Sequence, residues 1–513
     1  MQRYLLFLLL ILPGALYSQS ILYSDPQKMP AALAGIEVIG KVDNNFLVGQ
    51  LIKDKYQLEV FGSNMELQHA ANLNFLPSSI IRMTFVPYKK SLLLIYQGKE
   101  NNYTFCRIAM LDKDGVFLNG ITVDSIRSDV YKGGELYDVT TSVNKKYILF
   151  SRLLSGFQTG KLQVEQIIVN NELVVVNKDK YLIPYNPKNT SVSDLKIDDQ
   201  RNVLFLTWSN SVSNSTSITI YKLPNNSDDL ISRELAIRKN VVKLPTLEID
   251  NLNQVYHITS FYEDGKTMNV SGLFSLLLKN DLSDHHPPLI YPFNDSVRIN
   301  VNARGELPAA FNDYFIKDII FLSGGKFLVS AVDGENSLSV KSTPVRHPHQ
   351  PIAPTILEMP NIYSEDGKRI LLFGNVVTPF VFQGENPKEQ VLTNSEVVTR
   401  GNVVLFSLDG FNKVTGIKHL SRNPEMTPLL PYYQVVNTGS KVFFIYNKGN
   451  MKKSLLNSTS LDQNNDLLVN FLNKSFDKGY TFMPSLSKQV DSKIMVIPFL
   501  SGRKIGYASI QFP

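Results

Sequence analysis

The sequence predicts an all-β protein built as a β-propeller of seven or eight four-stranded blades, and three observations predict it. Nearly every apolar run is short, rich in Val, Ile, Leu, Phe and Tyr, and bounded by Asn, Asp, Gly, Ser or Lys, which is the pattern of strands and turns. A hairpin pattern recurs at intervals of roughly 50 residues, a period typical of propeller blades. Long helical periodicity is nearly absent, and only residues 461–476 favour a short helix.

The recurring unit consists of one apolar residue, a polar turn and a dense apolar strand, usually followed by a further strand. The count is eight such units, and seven blades are almost equally well supported. The Gly-His and Trp-Asp signatures of propeller blades do not occur, so the propeller prediction rests on periodicity. The apolar residues that lead into the eight turns are Val42, Val86, Val143, Ile197, Ile249, Phe321, Val436 and Val490.

A long segment, residues 333–400, interrupts the sixth unit between its second and third strands. It opens with DGENS, passes through PVRHPHQPIAP, and contains the strand candidates RILLFG and PFVFQ. Insertions of this length inside a repeat are usually functional or mobile. We therefore expect a single propeller domain over residues 19–513, with the insertion emerging at one rim.

Residues 1–18 have the features of a secretory signal peptide. Arg3 supplies a positive start, YLLFLLLIL forms a short apolar core, and small residues lie near Ser18. This run is shorter than the about 20 residues of a membrane-spanning helix, and no comparable run follows, so we expect no membrane span. Because the only cysteine, Cys106, cannot pair within the chain, we expect a bacterial protein exported to the periplasm or the extracellular space.

The charge balance and the motif content exclude several classes of function. Lys and Arg number 52 against 46 Asp and Glu, and the two signs are interspersed, so nucleic acid is not an expected partner. The Gly-x-Ser-x-Gly elbow, the phosphate-binding loop and the His-Glu-x-x-His zinc motif do not occur. The sequence therefore identifies no catalytic residue, no cofactor and no metal ligand.

The weaker signals have ordinary structural explanations. Asp198, Asp199 and Asp250 lie in hairpin turns, where an aspartate hydrogen-bonds to its own backbone. His347 and His349 are two residues apart on an extended segment, a spacing that suits metal ligation, but a Pro-rich surface loop explains them better.

Several dense strands end in aromatic residues, which a propeller would place at the rim that carries the insertion. Aromatic faces at that rim would stack on a sugar ring or a peptide, with nearby polar side chains as anchors. The alternative is that these aromatic side chains fill the gaps between blades. The candidate ligand-binding residues are Tyr96, Arg152, Trp208, Tyr262, Arg346, His347, His349, Tyr446 and Asn447.

Four stretches of the C-terminal part, FIKDIIFLSGGKFLVSA, NVVLFSLDGFNKVTGIKHLSRN, PYYQVVNTGSKVFFIYN and SGRKIGYASIQF, show a family resemblance. They resemble a group of uncharacterised secreted β-propeller-like proteins of Bacteroidetes-type bacteria. The resemblance covers roughly the last 200 residues. It implies an exported, propeller-like protein, and it supplies no activity and no catalytic residue.

We expect the chain to act as a secreted scaffold that binds a protein partner or a ligand, such as a glycan, through its rim loops. A rigid propeller with preformed loops lowers the ordering cost of binding. Two alternatives are a carbohydrate- or phosphoester-cleaving enzyme with a carboxylate or metal site at the channel mouth, and a structural component of a cell-envelope complex. The fold by itself does not discriminate among the three.

The signal-peptide interpretation makes a direct prediction about the exported form. When the full chain is expressed in a bacterium that exports it, the exported protein should begin at or within a few residues of Gln19. The mass of the intact exported protein measures this start. A mass equal to that of the uncleaved chain would contradict the prediction.

Overall fold

The computed structural model describes most of the chain between Ser20 and Pro513, and the structural statements below refer to that part. The described ranges are 20–30, 33–52, 55–129, 135–156, 160–186, 189–210, 215–225, 229–237, 240–242, 245–264, 270–293, 314–321, 326–335, 362–363, 369–370, 380–383, 390–393, 398–420, 434–438, 441–448, 455–461, 467–471 and 479–513.

Forty β-strands and a short 3-10 helix, Pro484–Leu486, account for the regular structure of the described residues. The strands of the first half are β1 (Ser20–Tyr23), β2 (Gln27–Lys28), β3 (Leu33–Val42), β4 (Asn45–Ile52), β5 (Lys55–Phe61), β6 (Leu67–Asn72), β7 (Ile80–Pro87), β8 (Leu92–Glu100), β9 (Tyr103–Leu111), β10 (Phe117–Arg127), β11 (Asp138–Thr141), β12 (Tyr147–Gly156), β13 (Lys161–Asn170), β14 (Val175–Pro184), β15 (Thr190–Val192), β16 (Lys196–Ile197), β17 (Val203–Asn210), β18 (Thr216–Leu223), β19 (Ile231–Ile237) and β20 (Asn240–Val242). The strands of the second half are β21 (Thr246–Asp250), β22 (Val255–Asp264), β23 (Val270–Lys279), β24 (Leu289–Pro292), β25 (Tyr314–Phe321), β26 (Phe327–Glu335), β27 (Ile362–Tyr363), β28 (Arg369–Ile370), β29 (Phe380–Gln383), β30 (Gln390–Thr393), β31 (Val398–Leu408), β32 (Val414–Leu420), β33 (Gln434–Asn437), β34 (Val442–Lys448), β35 (Leu455–Leu461), β36 (Leu467–Phe471), β37 (Thr481–Phe482), β38 (Lys488–Asp491), β39 (Ile494–Ser501) and β40 (Lys504–Gln511).

Within these ranges the strands form eight antiparallel sheets of four to six strands and two separate two-stranded hairpins, β27–β28 and β29–β30. In chain order the sheets are I (β3–β6), II (β7–β10), III (β11–β14), IV (β15–β19), V (β20–β24), VI (β25, β26, β31, β32), VII (β33–β36) and VIII (β37–β40 with β1 and β2). Each sheet corresponds to one repeat unit predicted from the sequence.

Burial within the sheets changes from strand to strand in a regular way. The second and third strands of a sheet are mostly buried, as β8 and β9 are in sheet II, whereas the fourth strands, such as β6 and β10, are largely exposed. The first strands β7 and β11 are half-buried. This gradient is expected when sheets pack face to face around an axis, with the fourth strand at the outside.

Apolar clusters join each sheet to its neighbour along the chain. Such clusters lie between sheets I and II, II and III, III and IV, IV and V, V and VI, and VII and VIII, and a further cluster joins VIII back to I. Between VI and VII, the side-chain amide of Asn437 donates to the carbonyl oxygen of Phe321 at 2.9 Å. The sheets therefore contact one another in a closed order, which is consistent with a β-propeller.

The two ends of the described chain meet in sheet VIII. Strand β1 pairs with β40 over four residues, from Ser20 opposite Gln511 to Tyr23 opposite Ala508. Ser24 extends this contact, since its backbone N–H donates to the carbonyl oxygen of Tyr507 at 2.8 Å and its hydroxyl accepts from the Tyr507 N–H at 2.9 Å. The first strand thus completes the last sheet.

One local expectation from the sequence is wrong. Leu467–Phe471 lies in the segment for which a short helix is predicted, but it forms strand β36 and pairs with β35. Pairing along the edge of a sheet outweighs the weak helical preference of a short apolar run. Among the described residues there is no helix that is both long and apolar enough to span a membrane.

A buried carboxyl group lies where sheets I and VIII meet. Glu59 on β5 is almost fully buried and forms a hydrogen bond with the Gln50 side chain. The side-chain amide of Gln50 donates a second hydrogen bond to the Tyr507 hydroxyl at 3.3 Å. Burial raises the pKa of Glu59 from 4.5 to about 7, although the hydrogen bond from Gln50 acts in the opposite direction. The folded protein therefore holds a proton on Glu59 that the unfolded chain releases above pH 4.5.

Because the pKa of Glu59 is higher in the folded state, its carboxyl group should lower stability as the pH rises from 4.5 to about 7. Glu59→Gln should be more stable than the wild type at pH 8, by up to about 3 kcal/mol, and equally stable near pH 4. Urea unfolding of both proteins at the two pH values measures the difference.

The exposed Glu66 of the same sheet provides the control. Glu66→Gln should leave the dependence of stability on pH unchanged. A Glu59→Gln protein with the same pH dependence as the wild type would contradict the prediction.

Candidate functional site

The connections of the sheets lie on two opposite faces of the ring. In an antiparallel sheet, the turn between the first and second strands lies at the same edge as the turn between the third and fourth strands. We call the side formed by these turns the turn face, and the opposite side the loop face. Residues 336–397, which connect the paired strands β26 and β31, leave from the loop face.

Hydrogen bonds join neighbouring turns on the turn face. The Asn144 N–H donates to the Asp199 carboxylate at 2.9 Å, and the Asp199 N–H donates to the side-chain oxygen of Asn251 at 2.8 Å. These bonds connect the first turns of sheets III, IV and V. Since the donors are backbone groups, the bonds fix the relative positions of the three turns.

Within the turns, aspartate side chains bind the backbone, as the sequence predicts. Asp198 accepts from the Gln200 N–H at 2.9 Å and from the Asn202 N–H at 2.7 Å. Asp250 accepts from the Leu252 N–H and the Asn253 N–H, each at 3.1 Å. The turns are therefore rigid, and they hold the side chains at their tips in fixed positions.

Most of the exposed large apolar side chains of the described residues lie in or next to these turns. The most exposed are Leu252 at 84%, Phe411 at 77% and Val143 at 70%. Others at the same face are Leu67, Val116, Phe117, Leu118, Val174, Val175 and Ile231. Large apolar side chains concentrated on one face of a soluble domain indicate a binding surface.

An aromatic patch surrounds Phe411 at the turns of sheets V and VI. The ring of His286 lies 5.5 Å from the Phe411 ring, and the His285 ring lies 4.3 Å from the His286 ring. Beside them, Arg233 pairs with Asp284 at 2.7 Å. An apolar centre with a charged pair at its border has the composition of a protein-binding surface.

Sequence reasoning missed this face, although the sequence contains a signal for it. The middle of a hairpin turn is usually polar, yet Leu252 lies in DNLNQ, Val143 in SVNKK and Phe411 in DGFNK. Leu252 and Phe411 lie between turn-forming residues and belong to no strand, so the repeat pattern gives them no structural role. The sequence counts Val143 as an apolar residue that leads into a turn, but it lies beyond β11 and is exposed, unlike the buried Val42 and Val86. Such positions are therefore candidates for intermolecular contact.

Three of the aromatic residues predicted to bind a ligand are buried between sheets. Tyr96 packs between sheets I and II, and both Trp208 and Tyr262 pack between sheets IV and V. Packing between blades is the alternative that the sequence leaves open for them. Their role in ligand binding stays a prediction.

Of the remaining predicted ligand-binding residues, Tyr446 and Asn447 lie on a strand of sheet VII. Tyr446 is half-buried on β34, and Asn447 pairs with Leu456 on β35. Arg346, His347 and His349 lie outside the described residues, and their role also stays a prediction.

The predicted anchor Arg152 belongs to a buried ionic network in sheet III. Its Nε donates to Glu165 Oε2 at 2.8 Å, and a second guanidinium nitrogen bonds to the same oxygen. The other oxygen of Glu165 accepts from Lys180 at 2.7 Å and from Gln163 at 2.7 Å. The Arg152 guanidinium also lies 5.0 Å from the centroid of the Tyr137 ring.

The electrostatics of this network favour the ionised carboxylate. Burial by itself would raise the pKa of Glu165, but hydrogen bonds and charges from Lys180 and Arg152 outweigh it and lower the pKa below 4.5. The Tyr137 hydroxyl donates to Asp124 at 2.5 Å, which joins sheet III to sheet II. The network therefore fixes the contact between these two sheets on the side toward the loop face.

Oppositely charged side chains also join the first strands of neighbouring sheets, beside the axis of the ring. Glu37 of sheet I and Lys488 of sheet VIII influence each other in this region. Burial raises the pKa of Glu37 and lowers the pKa of Lys488, and in each case the charge of the partner acts in the opposite direction. The direct ion pairs are Lys41–Asp491 at 2.8 Å, Arg82–Glu135 at 2.7 Å and Lys196–Glu248 at 2.5 Å.

These axial carboxylates have cationic partners, so their arrangement suits cohesion between sheets. No group of three or more His, Cys, Asp or Glu side chains that could hold a metal ion occurs in the described ranges.

Comparison with known proteins gives no family assignment. The chain matches no protein-family model and no curated relative. It is similar to the WD40 domain of SCAP from fission yeast at 10% identity, covering 96% of this chain and 98% of that one with a TM-score of 0.39. It is also similar to oligopeptidase B from Trypanosoma brucei at 10% identity, covering 93% of this chain and 54% of that one with a TM-score of 0.39.

An uncharacterised protein from Listeria monocytogenes is also similar, at 10% identity over 83% of this chain and 93% of that one, with a TM-score of 0.37. Likenesses of this strength support no conclusion about activity. The propeller architecture of this chain rests on its own strand pairing and on the closed order of sheet contacts.

The Glu165 carboxylate should stabilise the protein above pH 4.5, and this contribution should be lost as the pH falls through its lower native pKa. Glu165→Gln leaves the buried Arg152 charge without its carboxylate, so we expect the free energy of unfolding to fall by about 3 kcal/mol at pH 7. Urea unfolding at pH 7 and near pH 3 should show a large difference from the wild type at pH 7 and a smaller one near pH 3.

The exposed pair Glu100–Arg107, at 2.9 Å, gives a matched control. Glu100→Gln should cost less than about 1 kcal/mol at pH 7. An equal effect of the two substitutions would show that the Arg152 network is no stronger than a surface ion pair.

Proposed function

We propose that this chain is an exported, eight-bladed β-propeller scaffold that binds a protein partner through its turn face. The observation that carries the proposal is the concentration of exposed apolar side chains on that face, with Leu252, Phe411 and Val143 as the most exposed. Hydrogen bonds between turns hold the turns of Val143 and Leu252, and the Phe411 N–H donates to the Asp409 carboxylate within its own turn, so little ordering cost accompanies binding.

The blade count in this proposal is supported by the described sheets. Eight sheets of at least four strands follow one another in chain order, and each contacts the next. In sheet VI, strand β26 pairs directly with β31, from Phe327 opposite Leu408 to Glu335 opposite Val398. Residues 336–397 therefore add to the sixth blade without interrupting its strand order, which supports the insertion expected from the sequence.

Export and family relationship are the other parts of the proposal. Cleavage near Gln19 would leave Ser20–Tyr23, which pair with β40, in the exported chain. The signal-like N-terminus and the resemblance to secreted proteins of Bacteroidetes-type bacteria point to the periplasm or the extracellular space. Binding at the loop face, through the insertion, stays a prediction from the sequence.

A protein fits the turn face better than a small ligand. The apolar tips belong to separate turns of sheets III, V and VI, so a single small molecule would contact only a few of them. Aromatic and aliphatic side chains in the centre of a protein interface contribute most of its binding energy. We therefore expect Leu252 and Phe411 to be the main anchors.

A double variant tests the turn face directly. Leu252→Ser with Phe411→Ser should lower the yield of cross-linked partner at least about tenfold in envelope and culture fractions of the native host, since each anchor contributes more than about 1 kcal/mol. The thermal unfolding temperature should stay unchanged because both side chains are exposed.

Leu182→Ser is the matched control, since Leu182 is also exposed but lies on the outer strand β14. A chain in which residues 337–397 are replaced by a short Gly-Ser turn tests the loop face. If that chain loses the partner while the double variant retains it, the partner binds the loop face and the turn-face proposal is wrong.

A further inference from the structure

The interface between sheets V and VI contains buried polar atoms that the fold does not satisfy. Four of them, His257 Nδ1, Thr259 Oγ1, Ser275 Oγ and Asn412 Oδ1, have no hydrogen-bond partner among the described residues. The relative exposures of these residues are 2%, 0%, 0% and 2%. An unsatisfied buried polar group costs roughly 1–3 kcal/mol, so four in one interface need an explanation.

The four residues are close together. His257 and Thr259 are two apart on β22 and therefore point to the same side of sheet V. Thr259 lies directly opposite Ser275 on β23, and the Asn412 side-chain amide donates to the Ser275 carbonyl oxygen at 3.0 Å. The four residues are thus neighbours in the interface between sheets V and VI.

The surroundings of the group are apolar and come from both sheets. Apolar residues lie next to the polar ones on the same face of β22 and β23. They pack in one cluster with sheet VI; the cluster includes Phe261, Leu273 and Leu277 of sheet V and Phe327 and Phe406 of sheet VI. The His257 ring lies 4.6 Å from the Phe327 ring and 4.7 Å from the Phe321 ring. The polar group is therefore enclosed between the two sheets.

The chemistry of the group is neutral. Burial lowers the pKa of His257 to about 4, although the nearby charge of Asp250 acts in the opposite direction, so its imidazole is uncharged at neutral pH. The two hydroxyl groups can donate and accept hydrogen bonds, the amide oxygen only accepts, and the imidazole Nδ1 donates or accepts according to its tautomer. Together they suit a small uncharged molecule that both donates and accepts hydrogen bonds.

We propose that the interface between sheets V and VI binds ordered water molecules, which bridge His257, Thr259, Ser275 and Asn412. Buried waters usually make two to four hydrogen bonds to protein groups that have no other partner. Water fits this chemistry better than an ion, because the four groups carry no charge that would balance an ion. The waters would join sheet V to the sheet that carries residues 336–397.

Isosteric removal of one hydroxyl tests the proposal. If Thr259 binds a bridging water, Thr259→Val should reduce the equilibrium constant for folding about fivefold, as expected for the loss of one hydrogen bond. If its hydroxyl has no partner, the same substitution should increase that constant. Ser275→Ala should behave in the same way as Thr259→Val.

Thr104→Val is the matched control, because Thr104 is equally buried and its hydroxyl lies 3.3 Å from that of Ser128. This control should be destabilised, and a similar loss for Thr259→Val would support the bridging water. A high-resolution crystal structure of the exported chain should show water oxygens within hydrogen-bonding distance of Thr259 and Ser275.

Two results would overturn the proposal. One is a stabilised Thr259→Val protein together with a crystal structure that shows a dry interface. The other is a free energy of unfolding that rises with sodium but not with choline at equal ionic strength, together with the loss of this sodium effect in Thr259→Val. That result would identify a monovalent cation in place of water.

Discussion

Closure of the ring is the constraint on which the rest of this structure depends. Each sheet contacts both of its neighbours, and an apolar cluster joins sheets I and VIII, so an open ring would expose the apolar faces of these two sheets. Closure relies on Ser20–Tyr23, which pairs with β40 from the other end of the chain. The entropic cost of joining distant residues grows only slowly with their separation, and the buried contact of Tyr507 with Phe61 adds stability at this junction.

Polar groups are buried between the sheets in three different ways. The ionic network in sheet III pairs the Arg152 guanidinium with the Glu165 carboxylate, and it fixes one arrangement of sheets II and III. Glu59 holds its proton up to a pH of about 7 because burial favours the uncharged carboxyl group. Around Thr259 the protein supplies no partner, and we assign that role to water. The contacts between sheets therefore differ in chemistry although the sheets repeat.

Rigidity of the turns connects the fold with the proposed function. Asp198 and Asp250 fix their own turns, and bonds such as that from Asn144 to Asp199 fix one turn relative to the next. Because the backbone is satisfied locally, side chains at the tips are free to face outward. An apolar residue such as Leu252 remains exposed in the isolated protein, where a partner can cover it.

The sequence by itself determined most of the strands, the polar turns and the order of the repeat units, because alternation and turn chemistry act over a few residues. It did not determine which side chains meet across sheets, since that depends on register and on packing between units distant in the chain. Tyr96 and Trp208 end apolar runs of the sequence, but strands β8 and β17 continue past them and the neighbouring sheets bury them. Arg152 and Glu165 pair because β12 and β13 place them opposite each other. Leu252 is exposed because its turn faces away from the sheets. Only the tertiary structure decided these two outcomes.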